Sequence, residues 1–168
     1  MFFLLCCGMI KHKLKQATTL PYLGYVRNEL EITNTRVKKW ADWIPESDVY
    51  EAFYEQRSVI IPIPVCDWSF LVCLHEIGHI STGDRVFGYL REYNAEQWAI
   101  KRAKQSYNIV CDEYVEDAKV YVKGHLLANL IHDGLELEKI RPYVLDWLGE
   151  SHTTLAQNLV ELKAQQSC

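Results

Sequence analysis

Residues 75–79 read His-Glu-Ile-Gly-His, inside the apolar run FLVCLHEIGHISTGD at 70–84. A core helix favours Leu, Ile and Val there, because two imidazoles and a carboxylate cost burial energy unless something satisfies them. The spacing offers a satisfier. Positions i and i+4 lie one turn apart on one helix face, so His75 and His79 can both reach a single zinc ion. Glu76 then projects beside the metal, where it can take a proton from zinc-bound water, whose pKa zinc lowers towards ~7. Phe70, Cys73, Ile77 and Ile80 form an apolar stripe on the other side and anchor the helix in the core. Gly78 costs about 1 kcal/mol of helix propensity relative to alanine, which implies close packing at that point. The competing reading is an accidental pentapeptide match on an ordinary core helix.

A catalytic zinc needs a third protein ligand and an open position. A metzincin would continue His-x-x-Gly-x-x-His, but the chain reads HISTGDR from His79, with Arg85 where the third histidine belongs. That class is excluded. His125 and His132 are distant along the chain, and Cys73 is two residues from His75 and faces another direction. The segment 90–105 is the better source. Glu92 and Glu96 share a helix face that Ala99 and Ala103 continue with small side chains. Two like charges at i,i+4 repel slightly in isolation. Facing zinc they are stabilised instead, with Glu92 as ligand and Glu96 accepting a ligand histidine's other N–H. The alternative gives Glu96 the ligand role, and the bland reading is a solvated acidic turn balanced by Arg91, Lys101 and Arg102.

Several elements must position these groups. The spacing of Val37, Trp40, Ala41 and Ile44 predicts a helix over 33–45, ended by Pro45. A second short helix is expected over 45–57 with Ser47 as its N-cap. The β-branched run SVIIPIPV at 58–65 reads as a strand, which Pro62 and Pro64 place at a sheet edge or end early. Helices follow from Asp67 to a stop at Gly83, over 90–105, over 111–134 and over 141–149, the last with Pro142 at its start and Gly149 past its end. An amphipathic helix closes the chain. Asp84 reads as a cap for the next segment or a partner for a ligand histidine. The expected fold is α+β and mostly helical, a single domain over 1–168.

The chain has 168 residues with five Trp and ten Tyr, enough for one domain with a real core. A net charge of -4 leaves no electrostatic footprint for nucleic acid, and KHKLK at 11–15 is a small basic spot. None of the six cysteines forms a Cys-x-x-Cys pair, so reduced thiols in a cytoplasmic protein are expected. The apolar decapeptide MFFLLCCGMI is too short to span a bilayer, and its basic residues follow rather than precede it, unlike a secretory signal. It reads as a buried strand, a weak surface anchor, or sequence ahead of a start at Met9. The five tryptophans read as core and rim packing.

On these residues the chain resembles the gluzincin metallopeptidases, and within them the ImmA/IrrE family. The resemblance lies in the segment VYEAFYEQRSVIIPIPV before the site, the apolar approach FLVCLHEIGH, and EYNAEQWA at 92–99. It covers about residues 45–105 and leaves 106–168 as a helical extension. Glu96 departs from the family pattern, which has asparagine there. The resemblance implies a zincin-like core with a small sheet packed on the His-Glu-x-x-His helix, one zinc per chain on His75, His79 and Glu92, and Glu76 as base. It also implies a zinc peptidase acting on an intracellular protein or peptide, in bacteria, phages or mobile elements, with transcriptional repressors among the targets of relatives.

Peptide hydrolysis also needs a donor for the tetrahedral oxyanion. Tyr89, Tyr93, Tyr121, His125 and Arg85 are candidates, with His125 favoured because it lies in a helix beside Tyr121. Two other readings stay open: a zinc-bound, peptidase-like binding module, and a metal-free helical effector that binds a protein.

Overall fold

The first described helix is made where Val26 and Leu30 can be buried together, and it ends where Asn34 takes a left-handed φ of 49°. In the computed structural model, residues 19–44, 49–83 and 88–166 are described. The order is α1 (Thr19–Ile32), β1 (Arg36–Ala41), β2 (Glu51–Phe53), β3 (Ser58–Pro62), α2 (Asp67–Thr82) and α3 (Gly88–Tyr107). Then come α4 (Asp112–His132), a 3₁₀ turn at Leu137–Lys139, α5 (Pro142–Leu148) and α6 (His152–Gln166). The architecture is α+β, mostly helical with one small sheet. The apolar N-terminal decapeptide, Ser47, Asp84 and Arg85 lie outside the described residues.

Two expected helices are corrected. Residues 36–41 form a strand paired parallel to β3, and its register shifts between Val37 and Lys39. That irregularity adds a residue to the alternation, so Val37 and Trp40 share the packed side three apart. A bulged strand thereby mimics helical spacing. Residues 51–53 form β2, antiparallel to β3, with Phe53 opposite Ser58. The residues between them turn back, closed by the Arg57 N–H donating to Tyr54 O at 3.0 Å, with Arg57 at φ 45°. Val49, Tyr50, Phe53 and Tyr54 are β-branched or aromatic and suit a pleated surface. The strand expected over 58–65 is β3, and of its two alternatives the early end holds. The sheet order is β1-β3-β2, so β3 is central rather than an edge, and it ends at Pro62 as the missing N–H demands.

Helix α2 lies across this sheet and is buried on nearly every side from Ser69 to Ile80. Ser69 Oγ accepts the N–H groups of Val65 and Cys66 at 2.8 and 3.0 Å and so fixes the helix start. Phe70, Cys73, Ile77 and Ile80 are all buried, as the stripe requires. The Cys73 thiol donates to Pro62 O of the sheet, away from the histidines. Tyr22 and Tyr25 of α1 pack on Phe70, at ring separations of 5.7 and 6.0 Å.

Gly78 brings α2 and α3 together. A Cβ there would lie 2.9 Å from Ala95 O and 3.2 Å from Ala95 Cα, both backbone atoms that cannot swing aside. Gly78→Ala is therefore expected to destabilise the protein by about 1–3 kcal/mol, despite the better helix propensity of alanine. Urea denaturation checks this; an unchanged or higher midpoint would mean that α3 yields.

A second apolar cluster joins Tyr89 and Leu90 of α3 to Leu126, Val144, Leu145 and Leu155 of the later helices. Asn129 of α4 accepts the Tyr89 N–H through Oδ1 at 2.7 Å, satisfying a free donor of the first turn of α3. Gly149 ends α5 in a left-handed conformation, φ 70°, as expected. Trp40, Trp68, Trp98 and Trp147 pack around the first core, Trp68 edge-on to Tyr114, while Trp43 stacks on Tyr50 outside it. Among the described residues no helix is long and apolar enough to cross a membrane.

Candidate metal centre

Helix α2 presents His75 and His79, and the adjacent α3 presents Glu92 from its second turn. The two Nε2 atoms lie 3.0 Å apart, with their rings perpendicular. Glu92 Oε2 lies 3.3 Å from His75 Nε2 and 3.2 Å from His79 Nε2. Metal–donor bonds of about 2.1 Å in a tetrahedral site require donor–donor edges of roughly 3.4 Å. This triangle has nearly that size. It is also the group of potential metal ligands found among the described residues.

Charge points the same way. Glu76, Glu92 and Glu96 are all buried within this small region. Buried carboxylates need a compensating cation. Burial lowers the pKa of the His75 imidazole, but the Glu96 and Glu92 carboxylates outweigh it and raise it well above the ordinary range. Burial raises Glu92, and the hydrogen bonds from His75 and His79 overcome this and hold it far below the usual carboxylate range. Burial raises Glu76, while His75 and His79 partly offset the effect. The protein atoms thus draw positive charge to the space between the three donors. His75 Nδ1 and His79 Nδ1 are both buried without a formed hydrogen bond among the described residues, and both rings turn Nε2 to Glu92. The residues present fit a zinc ion.

Glu96 lies beside His75 and outside the triangle of donors. Its Oε1 lies 3.0 Å from His75 Nδ1, a contact at hydrogen-bond distance though poorly aligned. Its Oε2 accepts the Tyr114 hydroxyl at 2.9 Å. Glu92, not Glu96, joins the two Nε2 atoms.

A cavity of about 250 Å³ opens onto this triangle and onto Glu76. Tyr50, Glu51, Ala52 and Tyr54, on and beside β2, form one wall, and Arg91, Tyr121 and His125 form another part. The Arg91 Nε–H donates to Glu92 Oε1 at 3.2 Å, leaving Oε2 to face the histidines. Tyr121 donates to Glu92 Oε2 at 3.3 Å. Burial, Glu92 and Glu76 raise its pKa, so the phenol stays protonated. The ring of His125 lies 4.7 Å from that of Tyr121.

Of the oxyanion candidates, Tyr121 and His125 reach the cavity. Tyr89 is buried in the second apolar cluster, and Tyr93 packs on Tyr143 and Trp147. His132 is exposed at the end of α4.

Sequence reasoning missed Tyr114 and the β2 wall. The signal for Tyr114 was periodic: Tyr114, Ala118, Tyr121 and His125 lie at intervals of four, three and four, one face of α4. Comparisons with protein-family models, curated proteins and solved structures return no match.

Proposed function

We propose that this protein is a zinc-dependent endopeptidase of gluzincin type, resembling the ImmA/IrrE family, with His75, His79 and Glu92 as ligands and Glu76 as general base. The observation that carries the reading is the triangle of His75 Nε2, His79 Nε2 and Glu92 Oε2, with edges of 3.0, 3.2 and 3.3 Å, opening onto a cavity that Glu76 also lines. Zinc, when bound, supplies a Lewis acid for the attacking water and the scissile carbonyl. Glu76 accepts the water proton and later delivers it to the leaving amine. Tyr121 and His125 line the same cavity and are positioned to donate to the oxyanion.

The substrate is an extended stretch of a protein or peptide. Among the described residues β2 pairs only with β3, and it contributes Glu51 and Ala52 to the cavity wall. Its outer edge offers backbone groups for strand addition. Cys66, Cys73 and Cys111 carry free thiols, which supports a reducing, cytoplasmic setting.

Metal analysis by mass spectrometry, with and without zinc resupply, tests the reading. Near one zinc per chain is expected in the wild type and in Glu96→Ala, and none in Glu92→Ala. No zinc in the wild type after resupply would overturn the proposal.

A further inference from the structure

We infer that Tyr114 is a positioning residue of this centre, acting through Glu96 to hold the His75 imidazole with Nε2 turned to the metal position. The inference rests on the zinc reading of the same site. Three helices meet here. Tyr114 stands in the first turn of α4 and is 5% exposed. Its hydroxyl donates to Glu96 Oε2 at 2.9 Å, and the other carboxylate oxygen faces His75 Nδ1 at 3.0 Å. A carboxylate with one oxygen pinned is no longer free to rotate about its terminal torsion. Its second oxygen is thereby kept beside His75 Nδ1, within reach of a hydrogen bond that is off line in this structure.

The Glu96 carboxyl already accepts the Tyr114 hydroxyl, and with its other oxygen also an acceptor the arrangement places the His75 proton on Nδ1. Nδ1 is then the N–H of His75, and Nε2 is directed to Glu92 and His79. Packing alone does not call for the hydroxyl. The Tyr114 ring lies edge-on to Trp68 at 5.5 Å, a contact that phenylalanine would keep. A buried O–H on a buried carboxylate that itself touches a ligand histidine is the arrangement by which outer partners orient metal ligands.

Tyr114→Phe keeps the ring and removes the donor. Chelator competition is expected to show zinc bound roughly tenfold more weakly. Glu96→Gln, which preserves volume, is expected to weaken zinc at least as much, and adding Tyr114→Phe to it should cost nothing further. In the metal-free protein, the downfield proton signal of His75 Nδ1–H should be protected from solvent exchange, and Tyr114→Phe should lose that protection.

Wild-type zinc affinity in Tyr114→Phe with an unchanged Nδ1–H signal would overturn the inference, as would additive losses in the double variant. Should Tyr114→Phe fail to fold, full affinity in Glu96→Gln would overturn it. If the wild type takes up no zinc, the peptidase reading falls, and the Nδ1–H comparison still decides the coupling.

Discussion

Glu76→Gln should retain one zinc per chain and hydrolyse peptide bonds about 10²–10⁴ times more slowly than the wild type. Glutamine keeps the volume and can fill the same partly apolar niche, where Glu76 is 8% exposed. What it loses is the ability to take a proton from water. Zinc should stay because the triangle of donors consists of His75, His79 and Glu92 and does not include Glu76. The experiment pairs metal content with turnover of a peptide that the wild type cleaves from a mixed library. Retained turnover would move the base elsewhere. Loss of zinc along with activity would make Glu76 a ligand rather than a base. Silence of the wild type on every peptide, with zinc bound, would favour the binding-module reading.

Arg102→Ala is expected to cost about 3 kcal/mol of folding stability. Glu29 of α1 has no solvent exposure, and the Arg102 Nε–H donates to both of its oxygens, at 2.9 and 2.8 Å. Tyr107 also donates to Glu29 Oε1. Truncating the arginine leaves a buried carboxylate held by one neutral donor, and that loss far exceeds what an exposed ion pair contributes. The Arg102 side chain is 34% exposed, so water reaching the vacated space keeps the figure at the low end of the range for buried pairs. A fall in urea midpoint at constant slope checks it. A loss below ~1 kcal/mol would show that Tyr107 alone satisfies Glu29.

The helices that carry the candidate ligands and the central strand β3 were legible in the sequence, and strands β1 and β2 were not. Helix α2 announces itself because the apolar stripe and the motif obey one period, and nearly every face of it is buried. Helix α3 is equally clear, since Glu92, Glu96, Ala99 and Ala103 all face inward. The spacing put Glu92 and Glu96 on one face and left open which of them meets the histidines; Glu92 does, while Glu96 lies beside His75 Nδ1. Strand β1 escaped because its irregular register imitates the helical interval, and a parallel pairing with β3 is a long-range contact that local propensity does not encode. Strand β2 is three residues long and too short to show an alternation. The Tyr114–Glu96 contact joins residues 18 apart on different helices; periodicity puts Tyr114 on one face with Tyr121 and His125, but does not show which residue of α3 it meets.

The backbone contact between Gly78 and Ala95 bears on the order in which the protein is made. The three proposed ligands lie on consecutive helices, His79 and Glu92 only thirteen positions apart (92 − 79). Closing so short a loop carries little entropic penalty, and none of the three donors comes from the chain that follows, although Tyr114 and Asn129 of α4 support them. On the proposed zinc reading the three donors can come together while α4 is still being synthesised, and an ion bound then would be held more weakly until Tyr114 completes the support of His75. Tyr114, Tyr121 and His125 arrive only with α4. On that reading, loose capture of the ion would precede both the cleft and the outer support of its ligands.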